Sequence, residues 1–498
     1  MPPRILQPLN PRDFDFWKAR HLLNRAGFGG TPAQVAALAS MGLKDAVAYI
    51  VNYQDIGDPA VAADTFDADI MSPATAEERQ EVQRARRAGD EAVLERLRME
   101  RQQRQRQDRQ QMGRIQEWWL QKMIESPRPL EEKLTLFWHG HFATGYRSIE
   151  DSYHMFRQNQ LFRAHATGSF RELTLGVIRD PAMIRYLNND QNNRRAPNEN
   201  LARELMELFT LGEGHDYTED DIKQGARALT GYGFQDDAFV FRQRLHDPEL
   251  KTILGRTGNW DGDDFVSIIL TRPVAGEFIC FKLYRYFVND RRPAPPEAGQ
   301  RFVIELAKLF REQDYQLRPV LETLFMSEHF YADANAGAVI KSPLQLIVQA
   351  VRSLLTPARS VRDLLGACDL MGQNLFQPPN VKGWEGGESW INTSSLFIRQ
   401  NVLIYLLTGH SPQAMPWQTA PGDYDALHLL ESLRDDQGAV DPEAAIDYLL
   451  RFNLGGAIHP QRAETLRAFI TQRDGAIDNA ALIALLSLIT AMPEYQLS

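Results

Sequence analysis

The segment His139-Gly140-His141 carries two imidazoles two residues apart. In an extended backbone, such side chains point to the same side of the chain. Two neutral imidazoles are a common half of a zinc, copper, iron or nickel site. Aromatic residues on both sides of the segment favour burial instead, where each histidine would hydrogen-bond a backbone carbonyl. The segment therefore has two interpretations, a ligand pair for a divalent metal ion and a pair of structural histidines.

A second candidate lies in the helix predicted after a polar loop. At 3.6 residues per turn, Asn200, Glu204 and Glu207 share one face of this helix. Two carboxylates one turn apart can ligate a metal or act as an acid and a base. We predict Glu204 and Glu207 as catalytic residues and Glu204 as a further metal ligand. The structural alternative is an ion pair with Arg203, four residues before Glu207.

The loop before this helix is rich in amides. Residues 188–198 hold five Asn, one Asp and one Gln, which is more polar groups than a turn needs. We predict that the substrate is bound by four residues of the loop and the helix start: Asn188, Asp190, Asn198 and Asn200.

Two tryptophans extend the predicted substrate site. Trp384 and Trp390 lie in a loop rich in Gly, Pro and Asn, at residues 372–393. Flat apolar indole faces of this kind line sugar or peptide grooves. The alternative is an ordered loop that packs its aromatic residues into the core.

His246 is the third predicted catalytic residue. It precedes Asp247 and Pro248. Successive side chains of a strand face opposite sides, so a simple His-Asp dyad is not expected here. A structural role, with Asp247 capping the turn, is the favoured alternative.

Helices must position these residues, because nearly every long segment of the sequence shows helical periodicity. This periodicity predicts a mainly α, multi-helix globular protein with a small β-hairpin at residues 239–254. Residues 76–115 are rich in Arg, Gln and Glu and predict a long exposed helical arm, broken at Gly89 if anywhere. The remaining segments are an N-terminal helical part (1–75), a core carrying the polar motifs (116–410) and a C-terminal helical part (411–498).

Composition excludes several classes of protein. The net charge of −10 is opposite to that of a typical nucleic-acid-binding protein, so we expect no nucleic-acid partner. No stretch of eighteen apolar residues occurs, which predicts no membrane span. Two cysteines, Cys280 and Cys368, cannot build a disulfide framework. Without a signal-peptide pattern the expected location is the cytoplasm, and export to the periplasm beside a partner is the alternative.

Eight segments, in order along the chain, carry a resemblance to a known family. They are HLLNRAGFGG, LFWHGHFATG, PNENLARELMELFTLGEG, YTEDDIKQGARALTGY, HDPELKTILG, IKSPLQLIV, MGQNLFQPPNVKGWEGGESWINT and MPEYQL. With these segments the chain resembles the domain-of-unknown-function 1800 family over nearly its whole length. The resemblance implies no general activity. It does imply frequent export signals and a sulfatase- or phosphatase-like neighbour protein as a partner.

Two functions fit these residues. The first is a hydrolase that works with a divalent metal ion held by His139, His141 and Glu204. The second is a non-catalytic binding or accessory protein that recognises a glycan, a peptide or a partner protein. The commonest nucleotide, serine-hydrolase, zincin and redox motifs are absent from the sequence. The oligomeric state stays open.

Overall fold

The computed structural model describes residues 3–58, 66–291, 295–413, 415, 417–420, 422, 424–455, 459–473 and 477–498. Helices form most of this part of the chain, which confirms the predicted mainly α class. Its strands form two separate antiparallel pairs.

The helices of the first half, in chain order, are α1 (Phe16–Ala26), α2 (Pro32–Ser40), α3 (Gly42–Val51), α4 (Ala76–Ala88), α5 (Glu91–Glu125), α6 (Pro129–His141), α7 (Tyr146–Ile149), α8 (Ser152–Ala164), α9 (Phe170–Ile178), α10 (Pro181–Tyr186), α11 (Asn200–Glu204), a π-helical turn (Leu205–Thr210) and α12 (Glu219–Ala228). The helices of the second half are α13 (Gly262–Ile269), α14 (Pro273–Phe287), α15 (Glu297–Glu312), α16 (Leu317–Met326), α17 (Pro343–Leu354), α18 (Val361–Leu370), α19 (Thr393–Thr408), α20 (Pro442–Leu454), α21 (Pro460–Thr471) and α22 (Asn479–Thr490).

In the described ranges, the β structure consists of two hairpins rather than the one predicted at residues 239–254. Strands β1 (Tyr232–Gln235) and β2 (Ala238–Phe241) form the first, and β3 (Lys251–Ile253) and β4 (Arg256–Gly258) form the second. The predicted turn at Pro248 lies in the link between them. Both actual turns have two residues and begin at positive φ, at Asp236 and Leu254, the geometry that joins tightly twisted strands.

The exposed arm is a helical hairpin of α4 and α5. Gly89 ends α4 in the left-handed conformation, at φ 67°, as the sequence predicted. Most side chains up to residue 107 are exposed or half-buried, whereas Asp108, Gln111 and Met112 are buried. The exposed part of the arm therefore ends near residue 107, and the rest of α5 runs into the core.

Helix α6, which carries both histidines of the first motif, lies between two hydrophobic clusters. The first cluster joins α1–α3 with α9–α16, and the second joins the buried half of α5 with α17–α22. Leu134 and Trp138 of α6 pack into the first cluster, and Leu136 packs into the second. The end of α6 is therefore fixed from both sides.

Within the part of the chain that the structure describes, no single helix has the length and apolar character to span a membrane. By length and composition alone the pair α2 and α3 would qualify, although the chain bends by 117° between them.

Candidate functional site

The backbone changes its helical pitch beside the two predicted catalytic glutamates. Helix α11 ends at Glu204 and continues as a π-helical turn that contains Glu207. The N–H of Leu211 donates to the carbonyl of Met206, five residues back, and the Thr210 hydroxyl donates to the Leu205 carbonyl over 2.5 Å. Single π-helical turns are rare and are frequently found at functional sites.

Arg203 connects three carboxylates around this turn. Its guanidinium lies 3.0 Å from Glu199, 3.3 Å from Glu207 and 2.7 Å from Glu219 at the start of α12. The ion pair that the sequence offered as the structural role of Glu207 is therefore present. Because these side chains are partly exposed, the pairs add little to stability, about 0–1 kcal/mol each.

Glu204 differs from its neighbours in having no hydrogen bond or ion pair to any described residue. Its side chain is half-buried. Burial raises the pKa of the Glu204 carboxyl, and the nearby charge of Glu207 raises this pKa further, against the opposing effects of Arg203 and Lys382. A carboxyl group in such a setting retains its proton to a higher pH than an exposed glutamate.

The loop Lys382-Gly383-Trp384 lies across from this turn and connects it with the end of α6. Lys382 forms an ion pair of 2.6 Å with Glu213, just beyond the π-helical turn. Gly383 has φ 77°, and a Cβ atom at this position would come within 2.0 Å of the carbonyl oxygen of Gly140. Only glycine permits this approach.

Trp384 packs on the end of α6 beside His139. The ring centroids of Trp384 and His139 are 5.4 Å apart in a T-shaped arrangement. The indole Nε1 of Trp384 is shielded from solvent and has no hydrogen-bond partner among the described residues. The loop thus contacts the end of α6 through Trp384 and Glu213 through Lys382.

His139 and His141 lie on a helix, so the extended backbone that would point them to one side is not present. Residues two apart on an α-helix are about 200° apart around its axis. His139 faces Trp119 and Phe376 of the second core, and His141 faces the first core beside Phe142.

One ring nitrogen of His139 and both ring nitrogens of His141 have protein partners. His139 Nε2 accepts a hydrogen bond of 3.0 Å from the backbone N–H of Phe376, and burial lowers the pKa of His139 to about 3. His141 Nε2 lies 3.0 Å from the Phe209 carbonyl, and its Nδ1 lies 3.0 Å from Lys282 Nζ. The pKa of His141 is also held well below its usual range, mainly by burial and secondly by the positive charge of Lys282.

A metal ion does not fit this arrangement. Among the described residues, no three His, Cys, Asp or Glu side chains are grouped so that they could hold one. The two histidines face different cores, and Glu204 stands with other glutamates rather than with an imidazole pair.

Polar groups of the amide-rich loop form hydrogen bonds to other groups of the same loop. The predicted residues connect within the loop: the Asn198 N–H donates to Asn192 Oδ1 over 2.9 Å, and the Asn200 N–H donates to Asn198 Oδ1 over 3.0 Å. Asn188 adopts the left-handed conformation at φ 56°, and Asp190 is exposed.

Buried asparagines that the sequence analysis did not select hold this loop in place. Asn189 Nδ2 donates to the carbonyl of Tyr232 over 3.0 Å, and Asn192 Nδ2 donates to the carbonyl of Ala226 over 2.9 Å. The loop thereby docks on α12 and β1. Nothing in the sequence distinguishes these two amides from the exposed ones beside them.

His246 lies apart from the glutamate turn. His246 Nδ1 is 2.9 Å from the carbonyl of Thr230, beyond the C-terminal end of α12, whereas Arg203 contacts Glu219 at the other end. Ten residues of helix separate these ends by about 15 Å. Trp390 is buried, with 7% of its surface exposed.

The segment around His246 is held by structural contacts. Asp247 pairs with Arg227 at 2.7 Å, and its N–H donates to the Thr230 hydroxyl. Lys251 Nζ donates to the carbonyls of Asp247 and Glu249. Asp247 therefore anchors the link between the two hairpins.

Lys282 is a residue near the site that sequence reasoning missed. Its ammonium donates to His141 Nδ1 over 3.0 Å and to the Leu208 carbonyl of the π-helical turn over 3.2 Å. Burial lowers the pKa of Lys282 to about 8. No sequence signal connects this lysine of α14 to α6, because the contact arises only from the packing of distant helices.

A cavity of about 680 Å³ lies elsewhere, lined by residues of the N-terminus and of α15 and by Glu328. It holds none of the predicted site residues.

Fold and site together define a mainly α-helical protein with a glutamate-bearing π-helical turn packed against a tryptophan loop. Residues 21–497 match the family model described as "Protein of unknown function (DUF1800)", and the chain belongs to this family. This confirms the resemblance carried by the eight segments. No curated protein and no solved structure matches the chain.

Proposed function

We propose that Glu204 and Glu207 form the acid–base pair of a hydrolase that acts on an uncharged polar substrate. One observation carries this proposal: Glu204 is a half-buried carboxyl with no hydrogen-bond or ion-pair partner among the described residues, and its pKa is raised beside a second glutamate that Arg203 holds. Two carboxyl groups whose environments differ in this way supply a proton donor and a proton acceptor.

The roles follow from the contacts of each group. Protonated Glu204 gives its proton to the leaving group as the bond to that group breaks. Glu207, bonded to Arg203, takes a proton from the attacking water, whose oxygen forms the new bond. The protons then return to their starting places through solvent, so the reaction consumes one water for each bond cleaved.

The charge of the site indicates the class of substrate. Five glutamates surround the turn (Glu199, Glu204, Glu207, Glu213 and Glu219). With Glu204 protonated, four carboxylates remain beside Arg203 and Lys382, and Lys282 reaches the backbone of the turn. This excess of negative charge repels phosphate and sulfate esters. A neutral substrate rich in hydroxyl or amide groups, such as a glycan or a peptide, is the better match, with Trp384 offering a flat face.

No step of this proposal uses a bound metal ion. His139 takes part by holding the end of α6 against the Trp384 loop, and His141 by holding it against the π-helical turn and Lys282. Their low pKa values keep both rings neutral around neutral pH.

A binding protein without catalysis is the second candidate. The observation that favours it is the unpartnered indole Nε1 of Trp384, a donor that a ligand could satisfy. Both candidates use the same turn and loop, and they differ in whether a bond is broken.

Turnover of a substrate panel by matched variants tests the proposal. Chromogenic glycosides and peptide anilides would be assayed with the wild type, Glu204→Gln and Glu305→Gln. Glu305 is a partly exposed glutamate of α15 outside the site and serves as the control. We expect Glu204→Gln to lose about 10²- to 10⁴-fold in kcat and the control to lose nothing.

Two results would decide against the hydrolase. Full activity of Glu204→Gln removes its acid–base role. Binding of a panel member, seen as a change in tryptophan fluorescence, without cleavage of any member supports the binding candidate.

The sulfatase- or phosphatase-like partner and export beside it stay proposals, which co-purification with a tagged chain would test.

A further inference from the structure

Three cations lie together in the interior, away from the glutamate turn. They are Arg20 of α1, Lys341 just before α17 and Arg399 of α19, with 9%, 1% and 0% of their surface exposed. Arg20 and Arg399 are close enough to Lys341 that their charges both lower its pKa, after the larger effect of burial. The three residues come from distant parts of the chain, so the fold itself assembles this cationic cluster.

The protein partners of the cationic cluster are uncharged. Arg20 donates to the backbone carbonyls of Phe452 and Asn453. Arg399 donates to Gln496 Oε1 over 3.0 Å and to the carbonyl oxygen of Lys341 over 2.7 Å. No carboxylate of the described residues forms an ion pair with any of the three cations.

Two donors of the cluster are buried without a hydrogen-bond acceptor among the residues that the structure describes. They are Lys341 Nζ and Arg399 Nε. Lys341 Nζ lies over the ring of Tyr495, 4.0 Å from the ring centroid. A ring face attracts a cation, but it replaces only part of the hydration that burial removes.

Lys251 is another buried lysine of this chain, and its ammonium group does have hydrogen-bond acceptors. It is also 1% exposed. Its Nζ donates to the carbonyls of Asp247 and Glu249, and Asn259 Oδ1 lies 3.5 Å away. Lys341 has no such set of oxygens, so burial alone does not account for its unused donors.

We propose that Lys341 Nζ and Arg399 Nε, with the positive charge of Arg20, form a buried binding site for a small inorganic anion such as chloride. The anion accepts the two unused hydrogen bonds and offsets the repulsion among the three cations. A small ion is specified because the donors are shielded from solvent on all sides. This site is independent of the proposed hydrolase function.

Thermal unfolding in different sodium salts tests the site. The wild type, Lys341→Met and the control Lys251→Met would be unfolded in sodium chloride and in sodium gluconate at equal ionic strength. For the wild type we expect a higher Tm in chloride, rising about 1 °C for each tenfold increase above the Kd. Lys341→Met should lose this difference, and Lys251→Met should keep it even if its Tm is lower.

Crystals of the wild type soaked in sodium bromide give a second readout that needs no variant. We expect an anomalous peak within hydrogen-bond distance of Lys341 Nζ. Equal Tm values of the wild type in chloride and gluconate would overturn the proposal, as would the lack of a bromide peak between Lys341 and Arg399. A salt difference that persists in Lys341→Met would place the anion elsewhere and would overturn it too.

Discussion

Trp384 lies edge to face against His139, with 5.4 Å between the ring centroids. The contact joins the tryptophan loop to the end of α6, while Lys382, two residues earlier, reaches Glu213 beyond the π-helical turn. The loop therefore bridges the helix of the two histidines and the turn of the two glutamates. The proposed function assigns the chemistry to the glutamates and a supporting role to the histidines.

His139 is expected to matter for stability and not for metal content. In His139→Ala the Phe376 N–H loses its acceptor in a buried place and a cavity opens, which together cost about 2–4 kcal/mol of unfolding free energy. Denaturant unfolding measures this loss. Elemental analysis should find no stoichiometric metal ion in the wild type, and a chelator should leave its Tm unchanged. A bound metal ion that disappears in His139→Ala would show that the imidazole is a ligand.

The arm can be shortened up to a definite point. Replacing residues 77–103 with a short Gly-Ser linker should leave the Tm of the core within a few degrees, because few apolar side chains are buried there. A matched deletion that continues through Gln111 should abolish cooperative unfolding, since Asp108 accepts hydrogen bonds from Tyr146 and Ser152. Equal Tm values for the two deletions would contradict this boundary.

Asp180 should make the protein less stable as the pH rises. Burial raises the pKa of this carboxyl to about 6, so the folded state holds a proton that the unfolded state releases near pH 4. The free energy of unfolding should therefore fall between about pH 4 and 6, by on the order of 2–3 kcal/mol. Asp180→Asn keeps an oxygen acceptor for Met183 and Gln158 and should flatten this part of the profile. An unchanged slope in the variant would assign the pH dependence to other groups.

Local sequence signals predicted much of the fold. Thr218 and Asp221, three residues apart, form a capping box at the start of α12, and Gly89 ends α4 as expected. These features depend on neighbouring residues, so the sequence pattern contains them. The ion pair between Arg203 and Glu207 was predictable for the same reason, since residues four apart meet on a helix.

The rest of the site depends on packing between distant segments. The conformation of His139-Gly140-His141 was left open by the sequence, and the close approach of Gly383 to Gly140 appears only in the folded chain. The π-helical turn likewise has no local signature, because helical propensities do not distinguish a wider turn. Lys282 and Lys382 were missed because their partners lie far away in the sequence.

The most direct test of the acid–base assignment is a titration of the Glu204 carboxyl by ¹³C NMR, with Glu204→Gln used to assign the signal. We predict a pKa above the ordinary glutamate value of 4.5. In Glu207→Gln the pKa of Glu204 should fall, because a neighbouring negative charge is removed. A Glu204 pKa at or below 4.5 in the wild type, unaffected by Glu207→Gln, would contradict the assignment.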